Sequence, residues 1–210
     1  MKKICYTLLL LLFFLFSCNK RNNLNLDVNT SADSLSTYFS LANDFNLPQS
    51  KREEFNQKAF AIVVSQTNDS VNRVNLFKVA NRYFNMDNLE SYKETVKLVL
   101  EKSESTKDTT NILKAFIYLG DYYGSQGVSD TAFIYYFKAE KIYLKHHDAY
   151  NVAKTRLNKA LLKYNESDFL GSEIAVFNAL RVVKGEKASD IVYDSYNMFL
   201  VAVCQIIEFH

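Results

Sequence analysis

Few residues in this 210-residue chain stand at a spacing that chemistry needs. His146-His147 would begin a metal site, but neighbours on a helix point about 100° apart, and no Cys, Asp or Glu lies at ligand spacing with them. The pair reads as a solvated helix end. Gly120, Gly124 and Gly127 make a glycine-rich run, yet no strand precedes it and it does not match a phosphate-binding fingerprint. Close packing and a turn account for it. HExxH, GxSxG and P-loop patterns are absent. No catalytic residue, metal ligand or cofactor is assigned, and the chain is expected to be non-enzymatic. Of three cysteines, Cys5 and Cys18 flank an N-terminal apolar run, so no disulfide framework is implied. Cys204 lies in an apolar helical stretch and is expected to be an inert buried thiol.

The elements that must carry any function are helical. Hydrophobic residues make up 48% of the chain and aromatics 14%, which excludes disorder as the main state. Five Gly and one Pro leave little turn chemistry for a many-stranded sheet. An all-α fold is expected. The formal charge of +2 is carried by Lys2 and Lys3, and the remaining chain balances its basic and acidic residues. A neutral chain of interspersed signs lacks the footprint needed to neutralise phosphates, so nucleic acid is not an expected partner.

The N-terminus reads as an address. Two lysines precede an apolar run over residues 6–16, too short to span a bilayer but matching a secretory segment. Leu15-Phe16-Ser17-Cys18 resembles the lipobox of bacterial lipoproteins, in which the cysteine is lipid-modified and becomes the first residue. An ordinary signal peptide and an uncleaved anchor are the alternatives. The resemblance makes 1–17 a signal peptide and Cys18 the lipid attachment site, with anchoring to a membrane of the bacterial cell envelope on its periplasmic or outer-membrane side. Residues 18–32, rich in Asn, Ser, Thr and Asp, read as a flexible tether.

Beyond the tether the sequence copies itself at an offset of 40 residues. Ala80, Gly120 and Ala160 share a column, as do Tyr92, Ala132 and Ser172; Val96, Tyr136 and Val176; and Val99, Ala139 and Ala179. In the middle unit Phe116, Leu119, Gly120, Tyr123, Ala132, Tyr136 and Ala139 stand at the intervals of the tetratricopeptide repeat signature, so the chain resembles that family at these residues. The resemblance implies a right-handed superhelical stack of helical hairpins, an α-solenoid.

Side-chain spacing agrees. Residues three and four apart share a helix face, so Gly120 and Tyr123 line one helix and Ala132, Tyr136 and Ala139 line the next, antiparallel one. Ser129 or Asp130 is placed to cap that second helix. Gly120 and Ala132 are expected to be small because the backbones approach closely there. The period exceeds the family's usual length of about 34 residues, so either the helices or turns such as EKSESTKDTT must be longer. The resulting units are 73–112, 113–152 and 153–192, with 193–210 the first helix of an incomplete fourth. Residues 33–70 form an atypical helix pair, with helices near 34–45 and 51–64, either out of phase or an N-terminal cap.

The family binds partners in the groove lined by first helices. Matching positions here are Phe77, Asn81 and Phe84, then Lys114, Ile117 and Asp121, then Leu157, Leu161 and Tyr164. A mixed apolar and amide lining suits a protein or peptide ligand. The last stretch, 196–209, includes Tyr196, Phe199, Leu200, Val203 and Phe209. It continues the first-helix columns yet is apolar almost all round. Truncation of a longer protein, a homodimer through this helix, or folding back into the groove would each cover it. The leading expectation is a protein–protein interaction scaffold in the envelope. The alternative is the sensory N-terminal region of a sensor histidine kinase or transcriptional regulator, which similar arrays head.

Overall fold

The structure, a computed structural model, describes residues 31–184 and 187–208. These residues hold nine α-helices and no strand: α1 (Ser31–Ala42), α2 (Gln49–Ser65), α3 (Ser70–Asn85), α4 (Leu89–Ser105), α5 (Thr109–Ser125), α6 (Ser129–Lys145), α7 (Ala149–Asn165), α8 (Phe169–Val182) and α9 (Ser189–Glu208). From α2 onward each helix packs on its neighbours in sequence, and α3 with α5 and α7 with α9 also touch. The chain is therefore an all-α, solenoid-like stack, with α3, α5, α7 and α9 as first helices and α4, α6 and α8 as second helices. Ala32–His210 is a compact unit by itself.

One turn builds the stack. At Asp87, Lys107, Gly127, His147 and Ser167, twenty residues apart, φ lies between 56° and 70°. The residue after each donates its N–H to the carbonyl five positions back: Asn88 to Tyr83, Asp108 to Ser103, Val128 to Tyr123, Asp148 to Tyr143 and Asp168 to Lys163, at 2.9–3.0 Å. This 6→1 closure satisfies carbonyls at the helix end and uses a left-handed residue to reverse the chain. The residue that closes one helix caps the next: Asn88, Asp108, Asp148 and Asp168 accept from the N–H three positions on. Ser129 and Asp130 do not cap α6. Val128 holds the cap position without a side-chain bond, because the turn geometry fixes its place. EKSESTKDTT is mostly helix, with only 106–108 as turn. The longer period comes from 17-residue helices joined by three-residue turns.

The second helices α2, α4, α6 and α8 begin forty residues apart, at Gln49, Leu89, Ser129 and Phe169. The N-terminal pair is thus half in register. Ala59 falls in the column of Val99, Ala139 and Ala179, all four fully buried. Asn56 falls in the column of Val96, Tyr136 and Val176; it too is buried, and its amide donates to the carbonyl of Val79 at 3.1 Å. Helix α1 is the element out of phase, since six residues rather than three separate it from α2.

Two large apolar clusters carry the stack: Leu35 to Leu119 around α1–α5, and Ala153 to Ile191 around α7–α9. Between them Ala132, Tyr136 and Leu162 are buried together. Glu140 ties three helices there. It accepts from Arg156 at 2.7 Å and from Lys159, while Arg156 also donates to the carbonyl of Asn178 at 2.9 Å. Burial opposes ionisation of Glu140, but Lys159 and Arg156 hold its pKa below the usual range.

Candidate protein-binding groove

The first helices α5, α7 and α9 enclose two adjoining cavities. One, of about 480 Å³, lies between α5 and α7 and is lined by Thr110, Lys114, Ile117, Tyr118, Lys154 and Asn158, among others. The second, of about 380 Å³, lies between α7 and α9 and is lined by Leu157, Leu161, Tyr164, Asn197, Met198 and Val201, with Lys154, Asn158 and Asp194 at its polar edge. Lys154 and Asn158 belong to both, so the two form one groove across three helices. Its floor is aliphatic and its rim carries ammonium, amide and carboxylate groups.

Sequence columns find part of this groove. Lys114 and Ile117 line the first cavity; Leu157, Leu161 and Tyr164 line the second. Asn81 and Phe84 are exposed on α3, away from both, and the Phe84 ring leans on Tyr92 at 5.4 Å. Phe77 does not line a groove. It is 1% exposed, packs edge-on against Tyr118 at 5.2 Å, and has the Lys114 ammonium 4.6 Å above its ring. The cause is the close passage of α3 and α5, which buries the face that carries Phe77. Lys154, Asn158, Asp194, Asn197, Met198 and Val201 escaped notice. Their signal was present: Lys154 and Asn158 precede Leu157 and Leu161 by three on the same face, and Asn197 and Val201 stand forty residues after those leucines.

Asp121 accepts from the Tyr136 hydroxyl at 2.6 Å. Its carboxylate reaches solvent but has protein on most sides. Burial raises its pKa, and the Tyr136 bond and the Lys154 charge offset only part of that rise. Burial, with Asp121 second, also pushes the Tyr136 phenol far up, so Tyr136 is a donor throughout the physiological range.

The repeat-packing residues lie as follows. Ala132 and Ala139 are fully buried and Tyr136 is 4% exposed. Tyr123 stacks on Tyr135 with centroids 5.7 Å apart. Gly120 is small because the Tyr136 ring crosses it: a Cβ there would lie 2.5 Å from Tyr136 Cε1. Close approach of helices occurs instead at Gly124 and Ala132, where an added Cβ would sit 3.8 Å from that of Ala132 and 3.0 Å from Leu162 Cδ2.

His147 is the left-handed residue of its turn, which accounts for its place beside His146. Among the described residues no group of three or more His, Cys, Asp or Glu could hold a metal ion. Cys204 is an exposed free thiol, not a buried one, because the apolar stretch of α9 has a solvent-facing side. Tyr196 and Leu200 are each 58% exposed on that side, while Ile191, Ser195 and Phe199 face the stack. Of the expected α9 columns whose side chains are described, Phe199 packs, its ring edge-on to Phe177 at 5.4 Å. Leu200 occupies the column in which Gly120 receives the following helix, and no described helix follows α9. Cys18 and Phe209 lie outside the described residues, as does the side chain of Val203. No described helix is long and apolar enough to cross a membrane.

Fold and groove together define an all-helical repeat stack with an open cleft along its first helices. A crystal structure of BtubC (BKLC) from P. vanneervenii is similar, with a TM-score of 0.54 at 15% identity over 83% of this chain and 84% of that one. At that identity the likeness shows the fold alone. No family model matches the chain. No curated protein matches it either.

Proposed function

We propose that the chain is a non-enzymatic protein–protein interaction scaffold of the tetratricopeptide-repeat type, which holds a peptide segment of its partner across α5, α7 and α9. The observation that supports this is the continuity of the two cavities through Lys154 and Asn158. An apolar floor with sparse amide and charged groups above it holds side chains by burial and orients a backbone by hydrogen bonds. On this reading Cys18 carries the lipid that keeps the scaffold at a bacterial envelope membrane.

Selection of random displayed peptides on the purified chain tests the groove. Peptides retained by the wild type lose binding to Leu161→Glu, which puts a carboxylate on the apolar floor, and to Asn158→Ala, while circular dichroism stays unchanged. Equal retention by both variants rejects this surface. For the anchor, Cys18→Ala releases the protein from the membrane fraction, and continued sedimentation with membranes rejects lipidation as its cause.

A further inference from the structure

The second helices expose a stripe that differs between repeats. On α4 it reads Glu94, Lys97, Glu101, with Lys97 paired to Glu94 at 3.1 Å and no large apolar side chain exposed. Forty residues on, the same columns of α6 read Ile134, Phe137, Lys141, and those of α8 read Ile174, Phe177, Arg181. Ile134, Phe137, Ile174 and Phe177 are each about half exposed, at 53%, 56%, 54% and 48%. Neither Lys141 nor Arg181 has a carboxylate within ion-pair distance among the described residues. Two repeats have therefore traded a self-neutralising polar stripe for apolar side chains bordered by unpaired cations. Two pairs of half-exposed Ile and Phe side chains in the same columns of successive second helices make this face a candidate interaction surface.

A shallow cavity of about 370 Å³ lies between the two stripes, walled by Phe133 of α6 and Ala175 and Asn178 of α8, with Arg156, Lys159 and Lys163 of α7 at its base. Arg156 and Lys159 share Glu140, and Lys163 pairs with Asp168 at 2.8 Å, so three cations face two carboxylates. One positive charge is in surplus where the stripes meet.

We propose that the outer faces of α6 and α8 rest on a bilayer that contains anionic phospholipid. Ile134, Phe137, Ile174 and Phe177 enter the boundary between headgroups and acyl chains, and Lys141, Arg181 and the cavity cations meet phosphate. Large apolar side chains flanked by cations on one surface are the pattern of interfacial binding. Charge selects this occupant over a second copy of the same face, which would oppose cation to cation across the contact. The contact is independent of any lipid on Cys18: it sets how the array lies, not whether it is tethered.

The chain contains no tryptophan, so single substitutions act as unique reporters. Full-length Phe137→Trp is compared with Glu101→Trp, on the polar stripe of α4, using vesicles of phosphatidylcholine with or without phosphatidylglycerol. Both proteins carry the same N-terminus, so a tether acts on both alike. The expected result is a blue shift at position 137 with quenching by brominated acyl chains, dependent on phosphatidylglycerol, and none at position 101. Lys141→Gln with Arg181→Gln then weakens partitioning by on the order of tenfold. A silent reporter at 137, an equal response at 101, or a response indifferent to phosphatidylglycerol and to the loss of Lys141 and Arg181 overturns the proposal. A shift that appears without vesicles and fades on dilution assigns the face to a second copy and overturns it too. Circular dichroism of each variant verifies the fold, and the half-exposed position of Phe137 leaves room for the larger ring.

Discussion

The guanidinium of Arg73 donates to Asp108 Oδ2 from both Nε, at 3.0 Å, and Nη2, at 2.8 Å, with only 6% and 13% of the two side chains exposed. Arg73 opens α3 and Asp108 caps α5, so this one contact fixes successive first helices at their N-terminal ends. Asp108 also accepts from the backbone and side chain of Asn111, at 3.2 and 2.7 Å. Burial by itself would raise the Asp108 pKa, but the bonds from Asn111 and Arg73 together outweigh it and leave the carboxyl at about 2.

A folded pKa below the unfolded value stabilises above the unfolded value, near 3.9, and that contribution disappears as pH falls through the folded one. The thermal midpoint of the wild type is therefore expected to drop between about pH 4 and pH 2, and Asp108→Asn to flatten that segment of the curve. Arg73→Met leaves the carboxylate without its cation and is expected to cost roughly 3 kcal/mol at neutral pH by urea denaturation. Identical pH curves for wild type and Asp108→Asn would show that the pair contributes nothing.

Gly120 and Tyr136 form a second coupled contact. A methyl at Gly120 meets the Tyr136 ring at 2.5 Å, and displacing that ring also breaks its 2.6 Å bond to Asp121. Gly120→Ala is expected to lose about 1 to 3 kcal/mol, even though alanine favours helix, because overpacking wins over propensity. In a double-mutant cycle with Tyr136→Leu the two losses are expected to be non-additive, since the smaller side chain removes the clash. Simple additivity would show that the ring is not what excludes a side chain at 120.

The turns make an opposite prediction. Lys107 and Ser167 hold left-handed backbone, at φ 56° and 63°, where only glycine is free of Cβ strain. Lys107→Gly and Ser167→Gly are each expected to raise stability by about 0.5 to 1 kcal/mol, and Gly127→Ala to lower it by a similar amount. Chemical denaturation of the three variants checks the sign; a loss on Lys107→Gly would mean that the lysine side chain outweighs the strain.

Helix α9 presents Tyr193, Tyr196 and Leu200 to solvent, each more than half exposed. If this face joins two copies, sedimentation velocity shows a concentration-dependent dimer that Leu200→Glu dissociates. A monomer at all concentrations, or a dimer unchanged by Leu200→Glu, removes the face from consideration as a self-association surface.

The helical class and the recurrence of the stack were legible along the chain because both are local properties. Helix faces follow from intervals of three and four, and Ala80, Gly120 and Ala160 keep phase in the sequence whether or not it is folded. Even the twenty-residue rhythm of the turns is written in Asn88, Asp108, Asp148 and Asp168, although no two of their four left-handed neighbours are the same residue type. What each column does was decided elsewhere. Phe77 and Phe84 are both aromatic and both on α3, yet one is 1% exposed and the other 52%, because α5 passes over the first alone. Cys204 is exposed against the expectation from its apolar neighbours for the same reason. Burial depends on which helix lies opposite, and partners brought together from tens of residues away leave no mark on the local pattern that either helix carries by itself.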